Sequence, residues 1–277
     1  MTDLRGPLVT EGDRAAVAAD RAAGRAEAAH ETKPAVDRVA DVDAGGVPAR
    51  LYTPEGATSA LLYVHGGGFV MGDLVTHDGI ARRLAVATGM AVLLIDYRLA
   101  PEHAWPAAAD DTWAAADWLA DQGFERLAIA GDSAGATLAL GEVLRHPGRY
   151  DAQVLVYPFV DPAGRTYDRE LAGVDLTLDR CAWFWRLYVQ GADASGDEAF
   201  HVLDRESLAG LPRTLVQLAE LDVLTPTGHV LADLLAGDGV PTEVVVYPRV
   251  PHGFWRRTDN DQGERAVADV ARFLTAP

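Results

Sequence analysis

The sequence is short of cysteine, of lysine and of long apolar runs, and each shortage excludes something. Cys181 is the only cysteine, so no intrachain disulfide can form. Its setting, Cys181-Ala-Trp-Phe-Trp185, predicts a packed thiol rather than a reactive one. Lys33 is the only lysine. A Schiff base would have to form on it, in a polar segment beside Pro34, so lysine-based covalent chemistry is set aside. No stretch approaches the roughly 18 uninterrupted apolar residues of a membrane-spanning helix. The opening MTDLRGPLVTEGDR has no basic region followed by an apolar run, so no secretory signal is expected and the sequence reads as cytoplasmic. Positive charge is scarce as well: 24 Lys+Arg stand against 41 Asp+Glu, a formal net charge of −17. That balance argues against nucleic acid, whose phosphates need clustered Lys and Arg, and against anionic membrane surfaces. It also disfavours long-range steering of anionic substrates, although local arginines can still hold one. The acidic, lysine-poor composition fits either a codon bias toward GC-rich DNA or adaptation to high salt.

What is present is globular. The 277 residues, 49% hydrophobic and 23% charged, suffice for a sizeable core. Residues 12–29 read as an alanine-rich helix. Residues 37–43 and 47–53 alternate apolar and polar around Asp43-Ala-Gly-Gly46, an antiparallel hairpin. Short apolar strands then alternate with helical patterns: strands at 61–64, 91–95, 127–130 and 154–157, helices at 77–88, 106–121 and 134–145. Wholly apolar strands separated by amphipathic helices mean a mostly parallel sheet covered on both faces. Residues 161–207 interrupt the alternation, with no sheet strand and an aromatic helical stretch at Cys181–Gln190. It resumes with strands at 214–219 and 243–247 and helices at 226–236 and 263–274. The sequence therefore predicts a single domain, 1–277, with a small helical cap.

Two motifs carry chemistry. Gly131-Asp132-Ser133-Ala134-Gly135 is a G-x-S-x-G placed between an apolar strand and a helix. There a serine occupies a strained turn and presents its Oγ at the strand's end, beside a helix N-terminus. His65-Gly66-Gly67-Gly68 follows the strand 61–64. Consecutive glycines leave backbone N–H groups uncovered, as an anionic tetrahedral intermediate requires. The expected oxyanion donors are Gly66, Gly67 and Ala134. No G-K-[ST] follows, so a Walker phosphate loop is set aside. His65 itself reads as a loop anchor.

A nucleophilic serine needs a base, and the base an orienting acid, in the chain order Ser, Asp or Glu, His. His146, His201, His229 and His252 follow Ser133. Only His252 stands in a loop just after a strand, so it is the expected base. Asp222, after the strand 214–219, is the expected acid, ahead of Glu220; Asp161, after the strand 154–157, is its rival. Trp183, Phe184, Trp185 and Tyr188 form an aromatic cluster in the insertion. Core packing accounts for part of it, while Trp185 or Tyr188 is expected to line an acyl pocket with Phe69 and Trp255.

These segments together resemble the bacterial hormone-sensitive lipase-like esterases of the α/β-hydrolase fold. His65-Gly-Gly-Gly-Phe69 with Gly72-Asp73 resembles that family's oxyanion block, and Tyr97-Arg-Leu-Ala-Pro-Glu-His103 its following run. Gly131–Gly135, Tyr157-Pro158 with Asp161, Leu211-Pro212 with Asp222, and His252-Gly253-Phe254 match in order. The resemblance implies a Ser133–Asp222–His252 triad and hydrolysis of small neutral esters with short to medium acyl chains. It implies no cofactor or metal, and a cap built from residues 1–35 and 161–207. It also makes the last strand, Val244–Tyr247, a candidate homodimer edge. The fold equally hosts dehydratases, acyl transferases and non-catalytic small-molecule receptors; Ser133 and His252 weigh toward hydrolysis. Ala136 departs from the family's usual glycine, and Leu221-Asp-Val-Leu-Thr-Pro226 lacks the charges usual after the acid.

Overall fold

Apolar residues in unbroken runs belong in strands buried on both faces, and the computed structural model places them there. It describes residues 9–171, 175–194, 198–257 and 261–276. The chain runs α1 (Glu11–Ala28), β1 (Arg38–Asp43), β2 (Pro48–Thr53), β3 (Ser59–Val64), α2 (Asp78–Thr88) and β4 (Ala91–Ile95). It continues through α3 (Ala107–Ala120), β5 (Arg126–Asp132), α4 (Ala134–Arg145), β6 (Ala152–Val156) and α5 (Leu178–Val189). A 3-10 segment, Glu198–Asp204, leads to β7 (Arg213–Leu221), α6 (Thr225–Gly237), β8 (Thr242–Pro251), a 3-10 turn at Phe254–Arg256, and α7 (Asp261–Thr275).

The strands form one eight-stranded sheet in the order β1-β2-β4-β3-β5-β6-β7-β8. The β1–β2 hairpin joins β4 antiparallel, and every later pairing is parallel. Successive side chains of a strand face opposite sides, and β3 divides accordingly. Leu62 and Val64 enter the core layer that also holds Leu119 of α3 and Leu140 of α4. Leu61 and Tyr63 enter the opposite layer, with Leu84 of α2 and Val270 of α7. Each fully buried leucine contributes about 1.5–3 kcal/mol by leaving water.

The two last strands extend beyond the expected 214–219 and 243–247. Their ladder continues to Leu221↔Pro251 across an irregularity between Ala219 and Leu221. Much of β8 is only partly buried, so no apolar run marks its end.

Between β6 and β7 there is no strand among the described residues. Instead α5 packs on α1. Thr10 and Asp13 close a capping box at the start of α1. The same Asp13 carboxylate accepts Trp183 Nε1 at 2.7 Å and Arg186 Nη2 at 2.7 Å from α5. The Arg186 guanidinium holds the Asp13 carboxyl well below the usual carboxylate range. Of the expected cap segments 1–35 and 161–207, residues 1–8, 172–174 and 195–197 lie outside the described residues. No helix among the described residues is long and apolar enough to cross a membrane.

Candidate active site

β5 turns into α4 with one residue between them, Ser133, at φ 53°, ψ −120°. A serine held there is strained by about 1–3 kcal/mol. Close packing over-determines it. A Cβ on Gly135 would lie 2.0 Å from the Val64 carbonyl oxygen, so only glycine lets α4 approach β3 here. The Ser133 amide donates to the Val156 carbonyl at 2.9 Å.

Asp222 follows β7, where the irregularity re-aims the chain. Its side chain is fully buried. Oδ1 accepts the Leu224 amide at 3.0 Å and Oδ2 accepts His252 Nδ1 at 2.7 Å. His252 sits just beyond β8, its ring 4.5 Å from that of Tyr157. Its Nε2 lies 2.9 Å from Ser133 Oγ. The hydrogen on Nδ1 leaves Nε2 free to accept the serine proton. Three expected residues from three strand ends thus meet in one hydrogen-bonded row.

The rival acids point elsewhere. Glu220 accepts the Arg249 amide at 2.7 Å. Asp161 is buried and accepts the Thr166 amide at 2.8 Å and its hydroxyl at 2.9 Å, closing its own turn. His146 ends α4 against Glu142, and His229 lies within α6.

The oxyanion donors need correction. The Gly66 amide, expected to face the reacting carbonyl, donates to Asp132 Oδ1 at 2.8 Å. Gly67 and Gly68 line the cavity with Ser133 instead. Their amides and that of Ala134 have no acceptor among the described residues. The loop bends at Gly67, φ +119°, where a Cβ would meet the Met71 carbonyl oxygen at 2.3 Å. His65 anchors it: Nδ1 donates to the Gly66 carbonyl at 2.8 Å, and the ring stacks on Tyr97 at 4.2 Å. Burial lowers the His65 pKa, favouring the neutral imidazole.

The expected acyl-pocket aromatics are also corrected. Phe69, Trp185, Tyr188 and Trp255 are all buried, and none lines the cavity at Ser133. Phe69 stacks on Tyr188 at 3.9 Å and Trp185 on Phe159 at 4.8 Å. Trp255 lies in the opposite core layer, 5.6 Å from Tyr63. The aromatic residues that do line the cavity with the serine are Tyr157 and Phe184, and the Phe184 ring covers Gly68. Ala136 is buried in the core and does not narrow the cavity. Cys181 is buried, and desolvation pushes its thiol up to about 12.

The cavity holds about 700 Å³. Its walls are mixed: Gly67, Gly68 and Phe184 near the serine, Glu27 and Glu31 from the α1 side, Arg256 behind His252. A second cavity of about 670 Å³ adjoins it and shares Gly67 and Arg256.

A family model described as the alpha/beta hydrolase fold matches residues 61–256. Esterase LipI of Mycobacterium tuberculosis is 38% identical over 242 residues, covering 79% of this chain and 74% of its own length. A hyperthermophilic esterase from the archaeon Pyrobaculum calidifontis superposes with a TM-score of 0.86 at 35% identity. That match covers 93% of this chain and 92% of the other. An esterase from the bacterial hormone-sensitive lipase family superposes with a TM-score of 0.85 at 30% identity, covering 97% and 92%.

Proposed function

The chain belongs to the alpha/beta hydrolase fold family, among the bacterial hormone-sensitive lipase-like esterases, and from that premise we propose how it works as a serine carboxylesterase. It is a carboxylic ester hydrolase; the mechanism, the acyl range and the roles of individual residues are our reading. The observation that carries the mechanism is the row Ser133 Oγ–His252 Nε2 at 2.9 Å and His252 Nδ1–Asp222 at 2.7 Å.

Ser133 attacks the ester carbonyl while His252 takes its proton. Negative charge builds on the carbonyl oxygen, and the amides of Gly67, Gly68 and Ala134 receive it. His252 then protonates the departing alcohol, leaving an acyl group on Ser133. Water, deprotonated by His252, releases the acid. Asp222 fixes the imidazole tautomer and supports its positive form. A cavity of about 700 Å³ walled by Phe184 suits short to medium acyl chains. We read the chain as one domain whose cap comprises α1 and the α5 insertion. We place it in the cytoplasm and read it as acting on small molecules. β8 ends the sheet with Val244 and Val246 partly exposed, and there two copies pair.

The test is hydrolysis of p-nitrophenyl acetate through decanoate by wild type and Ser133→Ala. We expect activity peaking at the shorter esters and lost in the variant. Activity that survives the substitution, or none in wild type, overturns the reading.

A further inference from the structure

Most charged side chains around the Ser133 cavity are already matched. Arg257 pairs with Asp175 at 3.0 Å, Arg180 with Asp20, and Glu31 faces Arg83 at 3.6 Å. Arg256 differs. Its guanidinium makes no hydrogen bond or ion pair among the described residues, yet it is partly buried and borders both cavities. Glu31 reaches it only as a longer-range attraction, and a cation partly withdrawn from water without a contact partner is unfavourable unless something compensates it.

Its backbone is also held in place. Arg83, itself buried, donates Nη2 to the carbonyls of Trp255 at 3.3 Å and Arg256 at 3.2 Å. The turn Phe254–Arg256 follows directly from the His252 loop, so the guanidinium has a fixed origin relative to the base. Its charge is felt in the second cavity, where His77 is held neutral first by burial and next by Arg256. Glu27 of α1, also on the wall and without an ion pair among the described residues, is exposed.

We propose that Arg256 is a specificity-determining residue that receives a carboxylate carried by the substrate away from the scissile ester. Guanidinium and carboxylate match as a two-point, charge-assisted pair. The inference rests on the esterase reading of Ser133 and sharpens its substrate class from neutral to monoanionic esters. The chain's net charge of −17 does not oppose this at contact. Exposed charges are screened beyond about 8 Å at physiological salt, so the acidic surface slows approach more than it weakens a local pair. The same chemistry has two sources: a half-ester of a dicarboxylic acid, or an acylated hydroxy acid.

Two matched pairs separate them. p-Nitrophenyl butyrate against mono-p-nitrophenyl succinate places the carboxylate on the acyl side. Phenyl acetate against 4-acetoxybenzoate places it on the alcohol side. The readout is the charged-to-neutral ratio of kcat/KM, measured on one preparation so that any misfolded fraction cancels. Arg256→Ala is expected to lower that ratio about tenfold or more in one arm, with Arg256→Lys retaining part of it. The arm that responds names the side. A ratio unchanged or raised in both arms, or wild type that cleaves only the neutral members, overturns the inference and leaves the esterase reading standing. Wild type that cleaves none of the four removes the esterase reading itself.

Discussion

Asp132 Oδ1 lies 2.8 Å from the Gly66 amide nitrogen, so the residue before the nucleophile holds the first glycine of the loop that faces it. Tyr63 donates its hydroxyl to the same oxygen at 2.8 Å. Replacing Asp132 by Ala strands both buried donors, each at a cost of about 1–3 kcal/mol. We expect Asp132→Ala to lower Tm and kcat together, and Asp132→Asn, which keeps an acceptor oxygen, to retain more of both. Thermal melts and single-substrate kinetics read this; wild-type kcat in the Ala variant would show that the loop is held by other contacts.

The corrected set of oxyanion donors makes Gly67 the sensitive position. Its φ is +119°, and a Cβ there would come within 2.3 Å of the Met71 carbonyl oxygen, which leaves no room for a side chain. Gly67→Ala must move the loop. Loss of one aligned donor costs about 2.7–4 kcal/mol, a fall in kcat of roughly a hundredfold to a thousandfold. Circular dichroism should remain native while the rate falls; an unchanged rate refutes the donor assignment.

Chain-length preference should respond to Phe184 and not to its neighbours. Phe184→Ala opens the wall beside Ser133 and should shift the p-nitrophenyl series toward longer acyl chains. Trp185→Ala removes a buried ring stacked on Phe159. It should cost about 3–5 kcal/mol of stability and leave the preference in place. A shift in the second variant alone would return Trp185 to the pocket.

The contact of α1 with α5 should weaken in acid. The Arg186 guanidinium depresses the Asp13 pKa. A depressed carboxylate stabilises the fold above its unfolded pKa and loses that contribution as pH falls through the folded one. Asp13→Asn should therefore melt below wild type at neutral pH, with the gap closing as pH drops below the ordinary carboxylate range. A gap constant with pH would mean that Asp13 acts only as a hydrogen-bonding cap.

Much of the fold is readable in the sequence, for local reasons. β4 and α4 fall on the residues expected because chemistry marks their ends: Gly89 closes α2 in the left-handed region just before β4, and Pro147 stops the chain after α4. Ser133, Asp222 and His252 are legible because each follows an apolar strand. The free amides of the glycine loop are not. Which glycine is occupied depends on Asp132, 66 residues away. The aromatic wall escapes the sequence for a related reason. Cys181, Phe184, Trp185 and Tyr188 all lie on the buried face of α5, yet of these four only Phe184 borders the cavity; composition makes them equivalent, and only the tertiary packing separates them. Trp255 leaves the expected pocket because the chain reverses at Gly253, φ +77°, and carries it to the other core layer.

The separation of the catalytic groups along the chain has a kinetic meaning. His252 reaches Ser133 across 119 residues, and it is carried at the end of β8, which joins the sheet only through β7. Closing so long a loop is entropically slow, and local contacts cannot substitute for it. Helices such as α4 can form early, yet no proton can pass from serine to histidine until the outermost strand has docked. Recovered activity during refolding therefore reports the docking of β8 onto β7.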